Sequence, residues 1–289
     1  MILILKILVY PLSLLPLSWI RFLLSPLKFF LKRILQYRSE VIRKNLRIAF
    51  PLAKYKEIKQ IQNEFYDNLF QLVCESIKSF TISEKEASRR MRVLNPEVLD
   101  KYAEAGSSAI MVFGHFNNWE WTPLACPSQI KHHITAIYQK IKNEKINAWI
   151  MSNRSRFGVV MIATKDTSTF YENNSKIIAN TFMGDQSPSK KGGGVWVDFF
   201  GRKTLFLAGA AVYSKNLNQP IVFIDIQRRK KGYYDITIEE LIQKPEDFKI
   251  DEIVQKFASR LEAQIKEKPG SWLWSHNRWK HEFSESQNE

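Results

Sequence analysis

The chain is predicted to be an α/β protein with a mixed, largely parallel sheet flanked by helices, preceded by an N-terminal hydrophobic membrane-anchor helix. Three observations predict this. Beyond residue 108, short apolar runs of buried-strand type alternate with helical patterns. Residues 37–92 carry three- and four-residue apolar spacing. Residues 1–31 are almost wholly apolar, with only Lys6, Arg21 and Lys28 charged. The length, 289 residues, suits one large domain or two small ones and allows a sizeable core.

In the N-terminal stretch the longest uncharged run is 7–20, shorter than the roughly 20 residues a straight spanning helix needs. Pro11, Pro16 and Pro26 kink it. Adding the run 22–27 gives enough length if Arg21 is buried or the segment lies tilted at the interface. A signal peptide is disfavoured by the thin positive start and the lack of an A-x-A-like cleavage site. The basic cluster Lys28, Lys32, Arg33, Arg38, Arg43, Lys44 and Arg47 keeps the following chain on the cytoplasmic side, against anionic head groups. Residues 1–35 are therefore read as a membrane anchor, spanning or re-entrant, and 36–289 as one domain.

Within that domain, a first helix stops at Pro51 and a second covers about 54–80, its Ile58, Ile61, Phe65, Leu69, Leu72 and Ile77 forming a core stripe. The apolar run 109–113 is a buried strand broken by Gly114, and His115 sits at its exit. Asn117 and Asn118 are turn and N-cap residues, so Trp119-Glu120-Trp121 opens a helix. On one helix, positions five apart lie about 140° apart and do not meet. Across a strand–turn–helix junction, Glu120 is expected to reach one ring nitrogen of His115. The other nitrogen is then left as a general base.

Residues 133–138 read as a strand and 143–157 as a helix with a basic tail, Asn153-Arg-Ser-Arg-Phe-Gly158. Arg154 or Arg156, Arg156 preferred, is a candidate phosphate contact; cations also suit a helix C-terminus. Strands follow at 159–163 and 177–183. Asp185 and Gln186 leave the second of these at its C-terminal edge, the ligand-facing side of an α/β sheet, where they brace the active-site loops or hold the acceptor. Lys190-Lys-Gly-Gly-Gly194 lacks the P-loop pattern and reads as a hinge or a close-approach loop. A strand and turn at 195–202 end in Arg202, a candidate phosphate contact. A small-residue helix (207–216), two strands (221–227 and 233–241) around a basic hairpin tip, an amphipathic helix (251–266) and a Trp-rich tail complete the chain.

The 43 Lys and Arg outnumber the 29 Asp and Glu, a formal charge of +14, which favours an anionic partner. Nucleic acid ranks last, since no zinc-finger or RNP-like spacing is present. Cys74 and Cys126 form no metal-type pair and indicate a reduced compartment.

Gly114-His-Phe-Asn-Asn-Trp-Glu120 resembles the H-x-x-x-x-[DE] block of glycerolipid-type acyltransferases, in particular the GH-x-G-N-W-E form of late lipid A (lauroyl/myristoyl) acyltransferases. Asn117 replaces a glycine of that form, and Asn is the next best tolerated residue at positive φ. Tyr37-Arg38 with Asn45-Leu46 and Phe50-Pro51, the Arg-rich 153–158 stretch, Asp185-Gln186, Phe199-Phe-Gly201 and the closing W-x-H-x-R-W-K of Trp274 to Lys280 resemble further family blocks in family order. Glu75 is similarly placed to a recurring family acid, and a solvated helix face explains it equally.

The resemblance implies a glycerolipid-acyltransferase-like fold and transfer of a fatty acyl group to a hydroxyl of a lipid A precursor. The donor is an acyl thioester, on acyl carrier protein or coenzyme A, with no further cofactor. In this reading His115 takes the hydroxyl proton, Glu120 orients the imidazole, and backbone N–H groups near Asn118 hold the oxyanion. Acyl carrier protein and anionic membrane lipid are the expected partners, at the cytoplasmic face of a bacterial inner membrane. A lysophospholipid or aminoacyl-lipid acceptor, or a non-catalytic lipid-binding protein, are the alternatives. His276 is set aside as base because it has no acid partner nearby in sequence.

Overall fold

The computed structural model describes residues 2–30, 36–189 and 191–284. Lys32, Arg33 and Lys190, with the expected anchor boundary at residue 35, lie outside the described residues. The N-terminal segment is three short helices instead of one: α1 (Ile2–Leu14), α2 (Leu17–Leu23) and α3 (Ser25–Phe29). Pro11 is accommodated inside α1, and the break comes at Pro16, which stands at the N-cap of α2. Among the described residues no helix is long and apolar enough to cross a membrane.

α4 (Ser39–Ala49) stops just before Pro51, and α5 (Tyr55–Lys78) follows as the longest element described. α1 to α3 fold back along α5. Lys78 Nζ donates to the carbonyls of Ser13 and Leu15 at 2.9 and 3.0 Å, which the break at Pro16 leaves without helical partners. Lys28 pairs with Asp67 at 2.9 Å.

Next come α6 (Glu84–Arg90), inside the span 37–92 that reads as helical, and then β1 (Met91–Val93) and α7 (Glu97–Glu104), neither of them anticipated. The α/β part then runs β2 (Ala109–Phe113), α8 (Thr122–Ala125), β3 (His133–Tyr138), α9 (Glu144–Arg154), β4 (Val160–Ala163), α10 (Thr167–Asn173) and β5 (Ile178–Met183). A hairpin of β6 (Gly194–Phe199) and β7 (Arg202–Leu207) stands apart from the main sheet. α11 (Gly209–Leu217), β8 (Ile221–Lys230), β9 (Tyr233–Ile242) and α12 (Ile250–Glu267) complete the fold.

The strand order is β1-β9-β8-β2-β5-β3-β4, and every neighbouring pair is parallel except β8–β9. Central β2 is buried along its whole length, as a parallel strand covered on both faces must be. Its side chains alternate between two cores. Ile110 and Val112 join Phe206, Phe257 and Trp274 on one face; Met111 and Phe113 join Trp121, Ile224 and Ile236 on the other. Phe113 pairs in register with Met183, so β2 and β5 end side by side and their following loops must meet.

Glu75 of α5 is fully buried, which removes the solvated-face reading. Its carboxylate accepts from Asn118 Nδ2 at 2.8 Å and Tyr234 OH at 2.6 Å and pairs with Arg21 of α2 at 3.3 Å. Its backbone carbonyl accepts from Trp121 Nε1 at 2.9 Å. One carboxylate thus ties the apolar N-terminal segment to β9 and to the turn after His115. Glu75→Ala leaves a buried phenol and amide without their acceptor and an arginine without its counter-charge. The expected loss is about 3 kcal/mol of stability, read by denaturant unfolding in detergent.

Candidate active site

Two loops build the site, one after β2 and one after β5. Gly114 is required by close approach: a Cβ there would come within 2.7 Å of Leu261 Cδ1 and 3.1 Å of Asp185 Oδ2. Asn117 takes φ of +53°, the turn geometry its replacement of glycine demands, and its Nδ2 donates to the carbonyl of Ile226 at 2.8 Å. Asn118 caps the 3₁₀ turn Trp119–Trp121, accepting from Trp121 N, and α8 follows directly. The helix start is where the Asn-Asn pair places it.

The carboxylate that meets His115 is Asp185. His115 Nδ1 lies 2.6 Å from Asp185 Oδ1, and the His115 backbone N–H donates to Oδ2 at 2.8 Å. Trp272 Nε1 donates to the same Oδ2 at 2.8 Å. The expectation that Glu120 fills this role is corrected by its position. Glu120 makes a bidentate pair with Arg154, its oxygens 2.7 to 3.1 Å from Nε and Nη2. Five residues cover a strand exit and a turn, and that turn sends the Glu120 side chain away from the ring toward α9. Asp185 reaches the ring because β5 is the hydrogen-bonded neighbour of β2.

Asp185 is buried, and burial alone would raise its pKa. The nearby His115 and the donors from His115 and Trp272 outweigh this and hold it down at about 2. An ionised carboxylate only accepts, so Nδ1 of His115 carries the proton and Nε2 presents its lone pair. That lone pair accepts from Gln186 Nε2 at 3.2 Å. The imidazole packs edge-on against Trp119, centroids 4.9 Å apart. His115, Asp185 and Gln186 are thus brought together, whereas the Asn118 amide is engaged by Glu75 and the Trp121 N–H. Arg154 is 24% exposed and engaged by Glu120. Arg156 is spent on structure: its Nη1 and Nη2 donate to the carbonyls of Ser79 and Ile82 at 2.7 and 2.6 Å, capping the end of α5. Arg202 lies away from the imidazole, in a basic groove beside α4.

Trp272 is the site residue that sequence reasoning missed. Trp272, Trp274 and Trp279 of the Trp-rich tail are all buried. His276 is half-buried, and its Nε2 accepts from the Ser187 N–H at 2.9 Å, bracing the loop that carries Asp185. Burial, above all, pushes its pKa down to about 4. Burial also pushes the thiols of Cys74 and Cys126 up to about 12, leaving both inert at neutral pH. On the face of the sheet that carries Phe113, an apolar cavity of about 40 Å³ is lined by Met111, Phe113, Pro123, Ile134, Ile224 and Ile236. It has room for about three water-sized spheres, so a longer guest requires its walls to part.

Both shifted groups set a pH dependence of stability. The folded pKa of His276 is below its ordinary value, so its contribution is complete above pH 6.5 and is lost as pH falls toward about 4. The Asp185 pKa is also depressed. Its contribution, about 2 kcal/mol, is present above its ordinary value of 3.8 and is lost toward pH 2. Stability should therefore fall in two successive steps on acidification. His276→Asn should remove the first and leave the second, as read from urea midpoints between pH 7 and 2.

No curated protein matches the chain. A family model described as bacterial lipid A biosynthesis acyltransferase matches residues 2–281, nearly the whole chain and every site residue above. The imidazole–carboxylate contact at the sheet's C-terminal edge therefore lies in an acyltransferase, and the chain belongs to the bacterial lipid A biosynthesis acyltransferase family.

Proposed function

We propose that the protein transfers a fatty acyl chain from the thioester of an acyl carrier protein to a hydroxyl of a lipid A precursor, with His115 as general base and Asp185 as the carboxylate that orients it. The observation that carries this reading is the polarity of the imidazole: Nδ1–H is held by a buried carboxylate, and Nε2 is left basic at the loop surface. Nε2 takes the proton of the acceptor hydroxyl as the oxygen attacks the thioester carbon. The C–O bond forms, the C–S bond breaks, and the thiolate leaves with the proton returned from the imidazolium. Asp185 stabilises the imidazolium in between. In the turn after Asn118 the Trp121 N–H is taken by the Asn118 side chain, and the N–H groups of Trp119 and Glu120, without intrahelical acceptors, are suited to the developing oxyanion.

Gln186 occupies Nε2 in the resting site and is the group the acceptor hydroxyl displaces or shares. Glu120 and Arg154, held to each other by their bidentate pair, tie the turn after His115 to α9. The apolar cavity behind Phe113 is the place for the start of the acyl chain, whose burial is worth roughly 0.8 kcal/mol per methylene. Leu3, Ile4, Ile7, Leu8, Trp19 and Phe22 of α1 and α2 are each more than half exposed, with Lys28 nearby. Such a face suits interfacial docking on an anionic bilayer without crossing it, here the cytoplasmic leaflet of a bacterial inner membrane.

Transfer of a labelled acyl chain by protein reconstituted on vesicles tests this. His115→Ala should abolish transfer while the fold and vesicle binding persist, and Asp185→Asn should lower the rate by about 10²–10⁴-fold. Glu120→Gln should cost less than Asp185→Asn. A variant lacking Asp185 that keeps the full rate, with loss of rate in Glu120→Gln, would return the orienting role to Glu120. A lipid A species short of one acyl chain in cells without the gene would identify the acceptor.

A further inference from the structure

The outer face of α4 carries charge that the site described above does not use. Arg43, Lys44 and Arg47 project from α4, Lys59 from α5, and Arg202 from β7. Together they line two adjoining hollows of about 410 and 480 Å³ that share Arg43 and Arg47. A solvated helix face would explain three of these cations; it does not explain why a helix, a second helix and a distant hairpin all deliver them to one groove. Among the described residues none of the five pairs with a carboxylate, and Arg43 has only its own helix's Ser39 carbonyl, at 3.4 Å. By contrast Arg89 and Arg90 pair with Glu86, Arg92 with Asp235, Lys101 with Glu240, and Arg260 with Asp225 and Glu239. Glu40 is the one acid lining the groove.

The opposite face of α4 is fixed beneath the catalytic loop. Asn45 Nδ2 donates to the carbonyls of Trp274 and His276 at 2.8 and 2.7 Å, and Arg38 Nη1 to that of Ser275 at 2.7 Å. His276 in turn holds Ser187, two residues past Asp185. The groove thus lies about one helix diameter, roughly 10 Å, behind the segment that braces the reaction centre. Along α5, Lys59 is 16 residues from Glu75, where α2 with its exposed apolar side chains attaches, a separation of about 24 Å. A cationic site set back from the imidazole and offset from the apolar face does not suit the head group of an acceptor held in the bilayer. It suits a soluble, acidic partner that reaches the imidazole with a long flexible arm.

We propose that Arg43, Lys44, Arg47, Lys59 and Arg202 form the docking surface for the acidic face of the carrier protein that delivers the acyl thioester. This rests on the donor reading above and adds where that donor sits. Complementary charge of this kind steers association and makes it salt-sensitive.

The test uses the full chain with Arg43→Glu and Arg47→Glu together, beside a milder Arg43→Gln, Arg47→Gln pair and a circular-dichroism check of folding. With an acidic acyl carrier protein as donor carrier, the charge reversal should raise KM at least tenfold and flatten its salt dependence, the Gln pair lying between. Transfer from a small acyl-pantetheine thioester should be unchanged. Binding of the carrier without its acyl chain, followed by surface plasmon resonance, should be lost in the reversal and kept in His115→Ala. Unchanged carrier binding in a folded reversal overturns the proposal. So does loss of binding to anionic vesicles with carrier KM unchanged, which would make the groove a lipid contact. Failure of the native protein to transfer from either donor, with carrier binding still dependent on Arg43 and Arg47, would overturn the donor reading while leaving the docking surface standing.

Discussion

Three hydrogen bonds to one buried carboxylate hold this site together. Asp185 leaves β5 and receives the imidazole N–H and backbone N–H of His115 at the end of β2 and the indole N–H of Trp272 in the C-terminal tail. A carboxylate taken out of water is tolerated only when such donors replace its hydration. The same donors fix the tautomer of His115. Structural economy and the proposed chemistry therefore coincide: the bonds that close two loops and the tail around the sheet edge are those that leave Nε2 as the basic nitrogen.

A second buried carboxylate does for the periphery what Asp185 does for the centre. Glu75 gathers Arg21, Asn118 and Tyr234, so the apolar N-terminal helices and the turn after His115 share one acceptor group. The break at Pro16 belongs to the same arrangement. Breaking the segment near Pro16 leaves backbone carbonyls that Lys78 collects, and the short pieces can lie along α5 with their apolar sides outward. What hydropathy alone reads as one continuous helix is three short ones fastened to the domain by polar bonds.

The positive charge of the chain is likewise not spread evenly. Many lysines and arginines are spent in local pairs, which contribute little individually at an exposed surface. Those on the outer face of α4 are left unpaired and are joined by cations from α5 and β7. Net charge alone pointed to an anionic partner. The convergence of distant residues turns that general tendency into a surface of defined position.

Strand exits, proline stops and turn asparagines are local, so the order of elements from β2 onward was readable in the sequence. So were the strand 133–138, the positive φ of Asn117, the turn capped by Asn118, and the placement of His115, Asp185 and Gln186 just past strand ends. β1 was not readable, because three residues carry too short an alternation to register and the strand exists by pairing with distant β9. The partner of His115 was not readable either. Nearness in sequence favoured Glu120, but which side chains meet across a sheet edge depends on strand order. Only the folded chain sets β5 beside β2, brings Trp272 back over both, and turns Glu120 outward to Arg154. Local residue types determined what each segment would be; long-range pairing decided which carboxylate faces the imidazole.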